Sequence, residues 1–167
     1  MWTRVDKMTV IVKRELMYWG TFGISMFLAG LIFIDRKNGR KAAQVMNDAM
    51  EDLKKKDIKL CVFPEGTRRN TGEIHSFKKG AFHAAVQAQV PIVPVVFSSY
   101  KSFLNVEEKI LNNGDAIVTA LPVISTTDMT AKDVDELVQR TRKMMIETFN
   151  NTSKETQIKI FNSTCHD

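Results

Sequence analysis

The sequence predicts an α/β fold, with a mostly parallel (mixed) sheet flanked by helices. Short apolar runs rich in branched residues stop abruptly at a charge or a proline, as at 31–34 and 58–63. The stretches between them place apolar residues at helical spacing, as at 41–55. Strands that alternate with helices in this way pair largely in parallel. A chain of 167 residues, 44% apolar and 26% charged, suits one globular domain and excludes a disordered or collagen-like chain.

Residues 9–12 are short and β-branched, the expected first strand. Residues 18–29 are apolar and helical; Gly30 then breaks the pattern before a buried strand at 31–34, stopped by Asp35 and Arg36. Over 41–55, Ala42, Val45, Met46, Ala49 and Leu53 fall on one helical face. The next buried strand, 58–63, ends at Pro64, and a polar loop over 65–76 follows. A helix is expected over 80–89, a strand over 92–97, a turn at 112–115 and a strand over 116–121. Thr130 and Asp133 resemble a capping box for a last helix whose apolar series runs from Val134 to Phe149. After Lys154 the series fades, so the expected organisation is one domain over 1–154 and a loosely ordered tail over 155–167.

The net charge of +5 favours anionic partners: phosphates, acidic lipid surfaces or nucleic acid. With no glycine-rich phosphate loop and no aromatic-interleaved basic stretch, nucleic acid is the least favoured. The two cysteines, Cys61 and Cys165, give neither a disulfide framework nor a metal spacing, and Cys61 reads as a buried thiol. Residues 1–13 carry mixed charge and no signal-peptide core. Between Glu15 and Asp35 no residue is charged, over a length close to the roughly 20 residues that span a bilayer. Gly20, Gly23 and Gly30 weigh against a span, leaving a helix at a membrane surface and an ordinary core helix as the other readings.

The chemistry concentrates in Phe63-Pro64-Glu65-Gly66-Thr67-Arg68. A buried strand delivers a carboxylate, a glycine, a hydroxyl and a guanidinium to its carboxyl end, where open α/β sheets place ligands. Gly66 permits close backbone approach, and Arg68 can grip a phosphate with two parallel bonds. Lys78 and Lys79 precede the helix at Gly80 and add positive potential there. The competing reading is a solvated turn with a structural Glu–Arg pair. If the strands 31–34 and 58–63 are neighbours, Arg36 and Arg68 share a crevice; otherwise Asp35-Arg36 is a surface ion pair.

Lys13-Arg14-Glu15-Leu16, Gly30-Leu31-Ile32-Phe33-Ile34-Asp35-Arg36, the Phe63–Arg68 segment, Phe77-Lys78-Lys79-Gly80-Ala81-Phe82-His83 and Val90-Pro91-Ile92-Val93-Pro94-Val95 occur in an order that resembles the 1-acyl-glycerol-3-phosphate acyltransferase family. The resemblance covers about 13–149. It implies a glycerolipid acyltransferase-like fold and transfer of a fatty acyl group from acyl-CoA to lysophosphatidic acid, giving phosphatidic acid. It also implies an endoplasmic-reticulum membrane setting, no metal, and no cofactor beyond acyl-CoA as co-substrate. Carried over by position, Lys13, Arg36, Glu65, Gly66, Thr67 and Arg68 shape the acyl-acceptor pocket, with Lys78 and Lys79 beside it; Pro91 and Pro94 match the block on the acyl-chain side.

The departure from the family pattern is chemical. Its members carry an Asn-His pair with a His-x-x-x-x-Asp spacing, upstream of the segment matching 13–16, and the His deprotonates the acceptor hydroxyl. No His-x-x-x-x-Asp occurs in this chain, and no His precedes His75. His75 in the polar loop and His83 in a helix read as surface or packing residues, and His166 lies in the tail. The expectation is therefore a scaffold incomplete at the amino terminus, with no catalytic residue of its own and inactive alone. Two alternatives stand beside it: a non-catalytic phosphate- or lipid-binding module on the same scaffold, and an unrelated basic α/β protein that binds nucleic acid or nucleotides.

Overall fold

The structure, a computed structural model, describes residues 7–35, 39–67, 71–101, 103–105 and 108–164, without the side chains of Arg40 and 158–164. The chain divides into two compact units. One comprises Met1–Pro64, Lys78–Val90 and Thr126–Val134, the other Glu65–Phe77, Pro91–Ser125 and Asp135–Asp167.

In the first unit, β1 (Met8–Lys13), β2 (Ile32–Ile34) and β3 (Lys59–Cys61) form a parallel sheet in the order β2-β1-β3. Lys13 pairs with Ile34 and Val10 with Cys61, so the three strands run toward one edge, β3 stopping three residues short of the other two. Thr9 and Ile11 on β1 and Ile34 on β2 are buried, and the Thr9 hydroxyl donates to the Gly30 carbonyl at 2.7 Å. The condition that β2 and β3 be neighbours fails. Both pair with β1, which lies between them, so their ends stand two strand steps apart and are offset by three residues along the strands, about 14 Å in all. The reason is the chain's path: β2 forms on one side of β1, and the crossover through α2 (Gly39–Lys55) carries the chain past it to the other. Leu53 of α2 is buried, and α2 packs on α3 (Gly80–Ala88), whose Phe82, Ala84, Ala85 and Val86 are buried.

The apolar segment after β1 is a 3-10 turn, Arg14–Tyr18, followed by the short α1, Gly20–Leu28. No helix among the described residues is long and apolar enough to cross a membrane. Gly23 is explained by packing: a Cβ there would overlap the Met17 carbonyl and lie 2.9 Å from that of Leu16, so α1 could not fold back on the turn.

In the second unit the expected sheet is realised as antiparallel pairs. These are β4 (Val95–Phe97) with β7 (Val118–Ala120), extended by a bridge between Ile92 and Ile124, and β5 (Leu104–Asn105) with β6 (Ile110–Leu111). The β5–β6 pair has no counterpart in the sequence reading, because strands of two residues are too short to show a period. The helix α4, Val134–Thr164, continues well past Lys154, correcting the expected loose tail: helix propagation adds a backbone bond per residue and needs no apolar stripe. At its start, Asp133 accepts the Thr130 N–H at 2.7 Å and the Thr130 hydroxyl at 2.8 Å.

Candidate functional site

In the first unit the edge toward which β1, β2 and β3 run is a topological switch point, since the chain leaves β1 on one side and returns on the other. Open α/β sheets place ligands outside the carboxyl ends of strands at such a point. Lys13 is the last residue of the central strand and is exposed; Asp35 follows β2. Beyond β3, the Lys78 N–H donates to the Pro64 carbonyl at 2.7 Å and closes the neck of the excursion between them. Lys78 and Lys79 are exposed, immediately ahead of α3. Lys79 takes the position that caps α3 but offers no side-chain cap, as its ammonium cannot accept an N–H.

The excursion, Glu65–Phe77, belongs to the second unit. Gly66 has a φ of +69°, a left-handed conformation that glycine adopts without strain, which answers why glycine follows Glu65. A Glu65 carboxylate oxygen accepts the His75 N–H at 3.1 Å, and the His75 ring nitrogen Nε2 lies 2.8 Å from the Thr71 hydroxyl. Thr67 is exposed, while Glu65 and Gly66 are half-buried. Arg142, on α4, donates from Nε to the His75 carbonyl at 2.9 Å and from a terminal nitrogen to the Ile74 carbonyl at 2.8 Å. Sequence reasoning passed over Arg142, because one arginine flanking an apolar helical stripe ordinarily snorkels to water.

The predicted residues thus fall into separate groups: Lys13, Lys78 and Lys79 in the first unit, Glu65, Gly66 and Thr67 in the second. Arg36 and Arg68, the two guanidiniums meant to hold a phosphate, lie outside the described residues. Pro91 is exposed and Pro94 buried; the Pro94 carbonyl accepts the Leu121 N–H at 2.9 Å, which builds Pro94 into the β4–β7 ladder. Val93, Val95 and Phe97 are exposed beside them, with Val96 buried on the opposite face. Burial pushes the Cys61 thiol up from its ordinary value, and Cys61 is half-buried; Cys165 and His166 are outside the described residues. Among the described residues no group of His, Cys, Asp and Glu is placed to hold a metal ion.

A sequence model of the family described as Acyltransferase matches residues 1–98. The 1-acyl-sn-glycerol-3-phosphate acyltransferase beta of Homo sapiens is 43% identical over 152 residues, 91% of this chain and 55% of that protein. The alpha enzyme of Homo sapiens is 45% identical over 145 residues, 87% of this chain and 51% of that protein. The 1-acyl-sn-glycerol-3-phosphate acyltransferase of Saccharomyces cerevisiae is 39% identical over 142 residues, 84% of this chain and 47% of that protein. The chain therefore spans about half the length of the curated relatives it matches. The crystal structure of the 1-acyl-sn-glycerophosphate acyltransferase PlsC from Thermotoga maritima shares the fold, with a TM-score of 0.55 at 23% identity, over 81% of this chain and 56% of that one.

Proposed function

The chain belongs to the Acyltransferase family, and from that premise we propose that it binds the acceptor in a transfer of a fatty acyl group from acyl-CoA to the sn-2 hydroxyl of 1-acyl-glycerol-3-phosphate, forming phosphatidic acid. The observation that carries this reading is the switch-point edge of the first unit, where Lys13 ends the central strand, with Lys78 and Lys79 exposed ahead of α3 in the same unit. In the transfer, the acceptor hydroxyl oxygen bonds to the thioester carbonyl carbon and the carbon–sulfur bond breaks. The hydroxyl proton passes through a general base to the departing thiolate. The role of these residues is binding and orientation. Lys13 and Arg68 neutralise the phosphate, Lys78 and Lys79 add positive potential, and Glu65 and Thr67 offer hydrogen bonds to the glycerol; Pro91 and Pro94 stand on the acyl-chain side.

Neither described histidine suits the base. The His75 ring is bonded to Thr71, and His83 is exposed on α3. Residues 1–167 alone are accordingly expected to bind lysophosphatidic acid without turning it over. Calorimetric titration with a short-chain, water-soluble lysophosphatidic acid tests the reading. Arg68→Ala and Glu65→Ala should each weaken binding by about ten- to a hundredfold, the scale of one charge-assisted hydrogen bond. Unchanged binding in both variants overturns it, and turnover by the unaltered chain overturns the assignment of the base.

The membrane surface is the second partner, with the endoplasmic-reticulum membrane as the setting implied by kinship. Tyr18, Trp19, Phe22, Ile24, Phe27 and Leu28 are exposed on the turn and α1, Trp19 at 65% and Leu28 at 78%. Lys13 and Arg14 lie just before them, exposed, which suits a short helix at an anionic interface. Flotation with phosphatidic-acid vesicles should retain the chain and lose it on Trp19→Ser with Phe22→Ser, a drop in partitioning of about tenfold or more. Equal flotation of the variant sinks this part of the proposal.

A further inference from the structure

The loop Glu65–Phe77 carries four of the residues assigned to the acceptor, Glu65, Gly66, Thr67 and Arg68, and within it Glu65 accepts the His75 N–H and the Thr71 hydroxyl meets the His75 ring. Its far end is fastened by Phe77, which is buried. Just before Phe77 the loop is held by Arg142, which reaches across 67 and 68 positions of sequence to two successive carbonyls, those of His75 and Ile74. That pairing suits a guanidinium, whose N–H donors sit in a rigid planar fork; a lysine has one rotating ammonium on a flexible stem. The support behind Arg142 is firm, because Leu137, Val138 and Thr141 on the preceding turn of α4 are buried.

His75 is the relay. The Ile74 carbonyl that Arg142 holds lies in the same planar peptide as the His75 N–H, which is the donor to the Glu65 carboxylate, so fixing that carbonyl fixes the direction of the N–H. We infer that Arg142 is a positioning residue of the acceptor site: it touches no substrate, and it sets the loop conformation in which Glu65, Gly66 and Thr67 are presented. This rests on the acceptor reading above and extends it to α4, which none of the motifs reaches. Placement of a binding group to within a fraction of an ångström requires such support from outside the site.

The test compares the unaltered 167-residue chain with Arg142→Met, which keeps the stem and removes the donors, and Arg142→Lys, which keeps the charge and removes the fork. Two quantities are read: amide exchange at His75 by NMR, and the dissociation constant for the soluble lysophosphatidic acid. In Arg142→Met, His75 exchange should accelerate about tenfold or more while Leu137, Val138 and Thr141 keep their protection. Acceptor binding should weaken by about tenfold. Arg142→Lys should fall between the two, and it carries the test if Arg142→Met does not fold. Faster exchange with unchanged affinity reduces Arg142 to a structural role and overturns the inference, as does unchanged exchange in a folded variant. An unaltered chain that fails to bind the lipid overturns the acceptor reading itself, and this inference with it.

Discussion

The two units are filled differently. In the first, the buried residues are mainly aliphatic or aromatic: Ile11, Ile34, Leu53, Phe82, Ala84, Ala85 and Val86. In the second, Val96, Ile124, Leu137 and Val138 share the interior with Ser98, Asn105, Thr141, Ser153 and Thr156. These polar groups are matched: Ser98 accepts the Ile117 N–H at 2.9 Å, Ser153 accepts the Ser99 N–H at 2.8 Å, and Thr141 donates to the Leu137 carbonyl at 2.7 Å. No buried side-chain nitrogen or oxygen among the described residues lacks a partner. The lesson is that one unit is held mainly by area and the other in good part by geometry. Area tolerates exchange of similar side chains, whereas a matched hydrogen bond penalises the loss of either partner.

The comparison is most sharply broken by Phe82→Ala. Emptying that site should cost about 3–5 kcal/mol in denaturant unfolding, with amide exchange rising in β1, β3 and α2. A loss below about 1 kcal/mol would mean that area does not dominate the first unit. Ser98→Ala, a much smaller deletion, leaves the Ile117 N–H without its side-chain acceptor and should cost about 1–3 kcal/mol, with the exchange change confined to β4 and β7. A neutral result would remove the contrast between the units.

The smallest effect lies at the start of α4. The Thr130 N–H, with its hydroxyl, holds the Asp133 carboxyl below the usual aspartate range. A carboxyl depressed in the folded state stabilises fully above the ordinary value, about 3.9, and that contribution is lost as pH falls through the lower folded value. Asp133→Asn should therefore lower stability slightly above about pH 4 and flatten the acid limb, the two curves converging as pH falls below the folded value. An unaltered acid limb would show that this cap contributes nothing to folding.

The first unit was also the more legible. The stop at Asp35 marked the end of β2, β3 ends at Cys61, two residues short of the end that Pro64 predicted, and the face through Ala42, Val45, Met46, Ala49 and Leu53 marked α2 to within two residues. In the second unit, Ser98, Ser153 and Arg142 carry no local signature, because each is defined by a partner 19, 54 and 67 positions away, respectively. The β5–β6 pair is too short to be seen at all, and the backbone continuation of α4 past Lys154 needs no pattern.

Local periodicity and composition were enough to establish the alternation of strands and helices, the polar loop after the 58–63 strand and the uncharged segment after Glu15, since each is a property of neighbours along the chain. The order β2-β1-β3, with Lys13 on the central strand, and the suspension of the Glu65–Phe77 loop from Arg142 were decided only on folding. Strand order and long-range hydrogen bonds join residues whose separation leaves no repeat in the sequence, and only packing selects among the many pairings that the same pattern permits.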